Sequence, residues 1–278
     1  MKFKKIVIVG LGLMGGSLAA ACRKAFPKTL ISGVTRNRRA LARALRERWI
    51  DEGTGNVAFG ASEADLIVLC TPVDVYLPIL KEIDRVCGPG ALVMDVGSVK
   101  GSVHALVNAK KWRRISFVGA HPMVGSHKRG IEAGCPALYR EGTVILTKDR
   151  KTCPGSFRKA LRFWEKLVKK TVVLDPLTHD ALVSEISHLP HAMAVCLVHA
   201  VSAKALPLAA GGFRDTTRIA ASDTSIWLPI FEANRRQVLR GVKKLERELE
   251  WFRRILRTSD TNRLRRYLDQ AQKIRKSL

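Results

Sequence analysis

Carboxylates are scarce in this sequence: 24 Asp+Glu stand against 49 Lys+Arg, a formal net charge of +25 over 278 residues. Such a chain attracts anions, and the balance alone does not choose among nucleic acid, acidic membranes and phosphorylated or carboxylated small molecules. The excess peaks between Arg235 and Leu278, where 15 Lys+Arg face 5 Asp+Glu; a solvated basic helix face is the simplest account. Zinc-finger spacing and aromatic-rich basic strands are missing, so nucleic acid is not an expected partner. No CxxC pair occurs among the 6 cysteines at 22, 70, 87, 135, 153 and 196. They read as free thiols in a reducing cytoplasm, with no disulfide frame and no metal site. No unbroken apolar run approaches the roughly 20 residues of a membrane span, so no membrane partner is expected. Internal repeats and low-complexity segments are also missing. The 46% hydrophobic content excludes a disordered chain, and the length suggests two domains, or one large one, with a real core.

The N-terminus, with Lys2, Lys4 and Lys5 before an apolar run and Ala19-Ala20-Ala21-Cys22, has the outline of an export signal. Glycines at 10, 12, 15 and 16 interrupt that run at spacings with another explanation, which is preferred. Lys5–Val9, Leu30–Val34, Leu66–Cys70, Leu92–Val96, Ser116–Gly119, Thr143–Thr147 and Val172–Leu174 read as strands, with helical segments between most of them. Strands without polar alternation, alternating with helices, predict a parallel sheet buried on both faces. After Asp175 the texture turns helical. Thr178–Ala205 predicts a long helix with a bend or break at Pro190. Val238, Val242, Leu245, Leu249, Phe252 and Leu256 step by four and three, one apolar stripe on a later helix. The division is therefore an α/β domain over 1–175 and an all-helical domain over 176–278. So small a helical domain is expected to be completed by a partner chain.

Gly10-Leu11-Gly12-Leu13-Met14-Gly15 follows the first strand and opens a helix. In that context the glycines give a tight turn, close approach to a pyrophosphate and helix–strand packing. The helix N-terminus offers N–H groups to the anion. An NAD site usually closes the second strand with Asp or Glu on the ribose 2′-hydroxyl. Here that strand runs into Thr35-Arg36-Asn37-Arg38-Arg39, with no carboxylate. Thr35 can bond a phosphate oxygen and Arg36 can stack on adenine beside a 2′-phosphate. NADP is thus the expected cofactor, with NAD as the alternative. The candidate cofactor contacts are the loop residues 10–15, Thr35, Arg36, Arg38 and Arg39, Thr71 and Pro72 after a strand, and Ser98.

Ser98 and His121 each follow a predicted strand, which puts both at the carboxyl edge of a parallel sheet, where ligands bind. A histidine there can serve as a base in hydride transfer. These residues sit in Gly97-Ser98-Val99-Lys100 and His121-Pro122-Met123; His188-Leu189-Pro190-His191 and Thr217-Arg218-Ile219-Ala220 follow in the helical part.

Taken together, over nearly the whole chain, the sequence resembles the prephenate/arogenate dehydrogenase family of tyrosine biosynthesis. The resemblance implies a Rossmann domain joined to a helical dimerisation domain, hence a homodimer. It implies oxidative decarboxylation of a cyclohexadienol: hydride passes from ring C4 to the nicotinamide, CO2 leaves C1 and the ring becomes aromatic. By matched motif, His121 resembles the histidine that takes the ring hydroxyl proton, and Ser98 the serine between that hydroxyl and the nicotinamide. Arg218 resembles the arginine that clamps a substrate carboxylate. His188 and His191 match residues lining the pocket, without deciding which touches substrate, and Trp227 walls it. Asp215-Thr216-Thr217 stands where the family often has Asp-Phe-Thr.

Arogenate differs from prephenate by an ammonium in place of a ketone, and a pocket selecting it should offer a carboxylate. The loop Val124-Gly125-Ser126-His127-Lys128-Arg129 holds no acid before Glu132. With Ser126 and His127 as candidate substrate contacts, it favours prephenate over arogenate or dual use. Two other readings are weaker. A hydroxyacid or imine reductase would use a lysine, Lys204 being the main candidate, and leave the His188–His191 motif without a role. An NADP sensor or nucleic-acid-binding protein would not need Ser98, His121 and Arg218 together. No segment reads as a regulatory ACT-like or chorismate mutase domain.

Overall fold

The computed structural model describes residues 3–125 and 129–277. Eight strands form one sheet in the order β3-β2-β1-β4-β5-β6-β7-β8. They are β1 (Lys5–Val9), β2 (Leu30–Val34), β3 (Glu52–Thr54), β4 (Leu66–Leu69), β5 (Ala91–Asp95), β6 (Ile115–Pro122), β7 (Thr143–Thr147) and β8 (Lys170–Leu174). Helices α1 (Leu13–Ala25), α2 (Arg38–Arg46), α3 (Val57–Ala61), α4 (Tyr76–Val86), α5 (Gly101–Asn108) and α6 (Pro154–Trp164) lie among them. The central strands read KIVIV, LIVL and ALVMD because both faces are covered. One face buries Ile6, Ile8, Leu66, Val68, Leu92 and Met94. The other buries Val7, Val9, Ile67, Leu69 and Val93.

The wholly parallel sheet is corrected at one seam. β6 and β7 pair antiparallel, with His121 opposite Ile145, whereas every other pair is parallel. β6 also runs to Pro122, so His121 lies inside the strand rather than after it. Glu52–Thr54 carries no apolar signal of its own and is a strand only by pairing with β2.

Beyond β8 the chain is helical: α7 (Pro176–Val183), α8 (Leu189–Ala200), α9 (Gly211–Thr217), α10 (Thr224–Ala233), α11 (Arg235–Thr258) and α12 (Thr261–Lys276). Asp175 caps α7 by accepting the Leu177 and Thr178 N–H groups, and Pro176 takes the first-turn position where no N–H is needed. Pro190 does not break the helix. A π-helical turn at Ser184–His188 joins α7 to α8, and the Leu189 N–H reaches back five residues to Ser184. That widened turn accommodates the proline's missing donor and rotates the following face.

Within the resulting Pro176–Ala200 helix an 18-residue window has a mean hydropathy of 1.4, so the helix is long and apolar enough by length and composition to cross a membrane. This corrects the expectation of no such segment: the apolar run is broken residue by residue, yet its average is high. The helix turns His179, Asp180, Ser184, His188 and His191 inward, all buried.

Candidate active site

The cofactor end forms where the strand order reverses beside β1. Gly10 has φ +96°, and a Cβ there would lie 2.7 Å from the Cys70 carbonyl oxygen. A Cβ on Gly15 would stand 1.8 Å from the Gly10 carbonyl oxygen. Any side chain at either position would push strand, loop and helix apart. Gly12, in contrast, has open space at its Cβ position and heads α1 with no side-chain cap. The first N–H groups of α1 are thus left for an anion.

The adjoining pocket is lined by Gly10, Val34, Thr35, Arg36, Asn37 and Thr71, among others. Thr71 Oγ1 is buried there without a partner among the described residues. Glycine cradle, uncapped helix and orphaned hydroxyl fit a dinucleotide. Arg38, Arg39 and Pro72 are exposed and do not line the pocket. The Leu11 side chain is buried in the core against Gly33, leaving its backbone to face the loop.

The candidate reaction residues lie at the seam between the sheet and the helical domain. β5 and β6 are neighbours, so Ser98, just beyond β5, and His121, late in β6, belong to one carboxyl edge. A buried ion pair supports that edge. Lys100 Nζ donates to Asp95 Oδ2 and, at 2.9 Å, to the Ala120 carbonyl; Asp95 Oδ1 accepts the Ala120 N–H at 3.1 Å. The backbone directly before His121 is thereby held from both sides.

His121 Nδ1 lies 2.9 Å from His179 Nε2, and His179 Nδ1 lies 2.8 Å from Asp180 Oδ1. Asp180 also accepts the Lys100 and Gly101 N–H groups, both at 2.8 Å, across the domain seam. Burial holds the His121 pKa well below the usual histidine value, and His179, Lys100 and His188 add to the effect. His121 is therefore a neutral imidazole, able to accept a proton.

His188 and His191 are brought together with Trp227, whose ring stacks on His191 at 3.6 Å and meets His188 edge-on at 6.1 Å. Burial lowers the His188 pKa to about 4. Asn234 Nδ2 donates to the Asp180 carbonyl at 2.8 Å and lies 3.1 Å from His188 Nδ1. His188 Nε2 and His191 Nδ1 are buried without partners among the described residues. Arg218 is exposed at the start of a 3-10 turn, Arg218–Ala221, and has no ion pair among the described residues. Arg129, after β6, pairs with Asp223 and bonds Ser225 Oγ at 3.1 Å, tying the first domain to the start of α10. Ser126 and His127 lie outside the described residues.

The sequence reading missed His179, Asp180, Asn234 and Arg129. His121 and His179 are 58 residues apart, and no spacing rule joins them. The readable signal was an adjacent His-Asp pair on the first turns of the first helix after the sheet.

Fold and site together define a two-domain dehydrogenase that binds a nicotinamide dinucleotide. Residues 18–173 match the model of the prephenate dehydrogenase nucleotide-binding domain, and residues 175–270 that of the prephenate dehydrogenase dimerization domain. A prephenate dehydrogenase of Bacillus subtilis is 35% identical over 284 residues, covering 98% of this chain and 76% of the relative. The structure of Aquifex aeolicus prephenate dehydrogenase with hydroxyphenyl propionate and NAD+ superimposes with a TM-score of 0.91. It is 32% identical and covers 100% of this chain and 99% of that one. A Synechocystis arogenate dehydrogenase superimposes with a TM-score of 0.82 at 28% identity, covering 98% and 99% of the two chains. The chain belongs to the prephenate dehydrogenase family.

Proposed function

We propose that the protein converts prephenate to 4-hydroxyphenylpyruvate and CO2, reducing NADP+, as a cytoplasmic homodimer. The observation that carries this reading is the buried, neutral His121 at the carboxyl edge of the same sheet whose first strands hold the dinucleotide loop. The dinucleotide, when bound, accepts the hydride from ring C4. His121 draws the proton from the C4 hydroxyl as the hydride departs. It returns that proton to the ring oxygen as CO2 leaves and the ring becomes aromatic, so no net proton is released. Ser98 bridges the hydroxyl and the nicotinamide, and Arg218 holds a carboxylate of the dianion bidentately. His188, His191 and Trp227 wall the ring, and the unpartnered histidine nitrogens suit a polar ligand. All six cysteines are free thiols, which suits a reducing compartment.

NADP preference rests on Thr35 and Arg36 at the pocket, with Val34 closing β2 and no carboxylate there. The Aquifex neighbour's NAD+ makes this the point most worth measuring. The ratio of kcat/KM for NADP+ over NAD+ should exceed one and fall by about tenfold or more in Arg36→Ala, which removes a phosphate-binding fork. A native preference for NAD+ would overturn it.

The substrate is tested by initial rates with prephenate and, in parallel, arogenate. Turnover of prephenate alone fits the reading. Turnover of arogenate, which the likeness to the Synechocystis enzyme keeps in play, would place a carboxylate near the substrate's side chain. No turnover with either substrate and either cofactor would sink the enzyme reading.

A further inference from the structure

We propose that His179 and Asp180 are positioning residues that fix the tautomer of His121 and so make its Nε2 the base. The inference rests on the reading of His121 as the proton acceptor. Asp180 Oδ1 accepts the Lys100 N–H, and Oδ2 accepts the Gly101 N–H at the start of α5. A carboxylate with both oxygens so engaged can only accept from its remaining neighbour. His179 Nδ1, 2.8 Å from Oδ1, must therefore carry the hydrogen. A neutral His179 then has a bare Nε2, which accepts. His121 Nδ1, 2.9 Å away, must in turn be the donor. The neutral His121 is left with its lone pair on Nε2.

Both rings are held neutral. Burial lowers the pKa of His179 despite Asp180, and lowers that of His121, with Lys100 and His188 adding to it. The groups facing His121 are His179 and His188 from the helical domain and Lys100 from the loop after β5; Asp180 and Asp95 lie behind them. In the reaction the C4 O–H bond breaks and an Nε2–H bond forms, with the positive charge spread over His121. The Nδ1–H bond to His179 and the carboxylate behind it stabilise that charge. Return of the proton to the ring oxygen restores the starting tautomers. The device crosses the domain seam: base on β6, orienting pair on α7.

The test reads tautomer and rate separately. The chain has only 7 histidines, so ring nitrogen spectra of the 15N-labelled protein can be assigned by single substitutions. His121 should be the Nδ1–H form in the native protein. In His179→Ala that preference should vanish, with kcat falling at least about tenfold while KM for prephenate holds. His179→Gln keeps an acceptor toward His121 and a donor toward Asp180, and should keep the tautomer and most of kcat. Asp180→Asn should lose both, and its acid limb of kcat should move to lower pH as the base weakens. If Asp180→Asn does not fold, the His179 pair still decides, because Asp180 keeps its bonds to Lys100 and Gly101. A native His121 in the Nε2–H form, or His179→Ala with native tautomer and kcat, overturns the proposal. Full activity in His121→Asn would instead retire the base reading, whatever the tautomer shows.

Discussion

The two domains bury different things. The N-terminal one encloses both faces of its sheet, with Ile6, Ile8, Leu66, Ile67, Val68 and Leu92 all fully buried. The helical one buries few large apolar side chains, Val183 and Ile255 among them, and leaves Ile186, Met193, Leu197, Leu239, Leu249 and Leu256 well exposed. Most of what it buries is polar: His179, Asp180, Ser184, His188, His191, Thr217 and Asn234. One domain thus completes a core from its own residues. The other turns a polar inner face to the domain seam and keeps an apolar outer face of the kind a second copy covers, in keeping with its match to a dimerization domain.

This contrast can be broken at four points. The largest effect belongs at the seam: His121→Asn should lower kcat by about 10² to 10⁴ with little change in KM. Native kcat in that variant would remove the seam's assigned role. The outer face comes next. Leu197→Asp sets a charge in place of an apolar side chain on α8 in both copies, and should weaken self-association by roughly 10² or more. Sedimentation across a concentration series checks it; an unchanged dimer would move the interface elsewhere.

Arg218→Ala should raise KM for prephenate about 10- to 100-fold, the loss of charged hydrogen bonds, with a smaller effect on kcat. An equal fall in kcat would make Arg218 part of the chemical step.

The smallest effect is on stability. His188 titrates near 4 in the folded chain, below its unfolded value near 6.5. Its contribution is present above pH 6.5 and is lost as pH falls toward 4, because the unfolded state binds the proton first. Between pH 7 and pH 5 this alone should lower unfolding free energy by about 2 kcal/mol. Urea titrations at the two pH values measure it, and His188→Gln should shrink the difference by about that amount, leaving the share of His121, His179 and His191.

Much of this was legible in advance because its signals are local. The Gly10–Gly15 loop, the unbroken apolar strands and the arginines after β2 each declare themselves within a few residues. The motifs around Ser98, His121, His188 and Arg218 supplied the family resemblance. The extent of β6 was not legible, because its last turns of sequence, Ala120-His121-Pro122, look like a strand end. Only pairing to β7 extends the strand through His121. At Pro190 the helix is not broken, for a related reason: proline opposes a regular helix, but the π turn just before it, Ser184–His188, absorbs the irregularity.

By itself, the sequence determined the α/β and helical division, the dinucleotide loop and the kind of chemistry, since each rests on short-range spacing and hydrophobic period. Tertiary structure alone decided which way His121 holds its proton. That depends on His179 and Asp180 arriving from another domain, 58 residues along the chain, and on burial that keeps both rings neutral. Hydrogen-bond direction is a property of neighbours in space, and no periodicity encodes it.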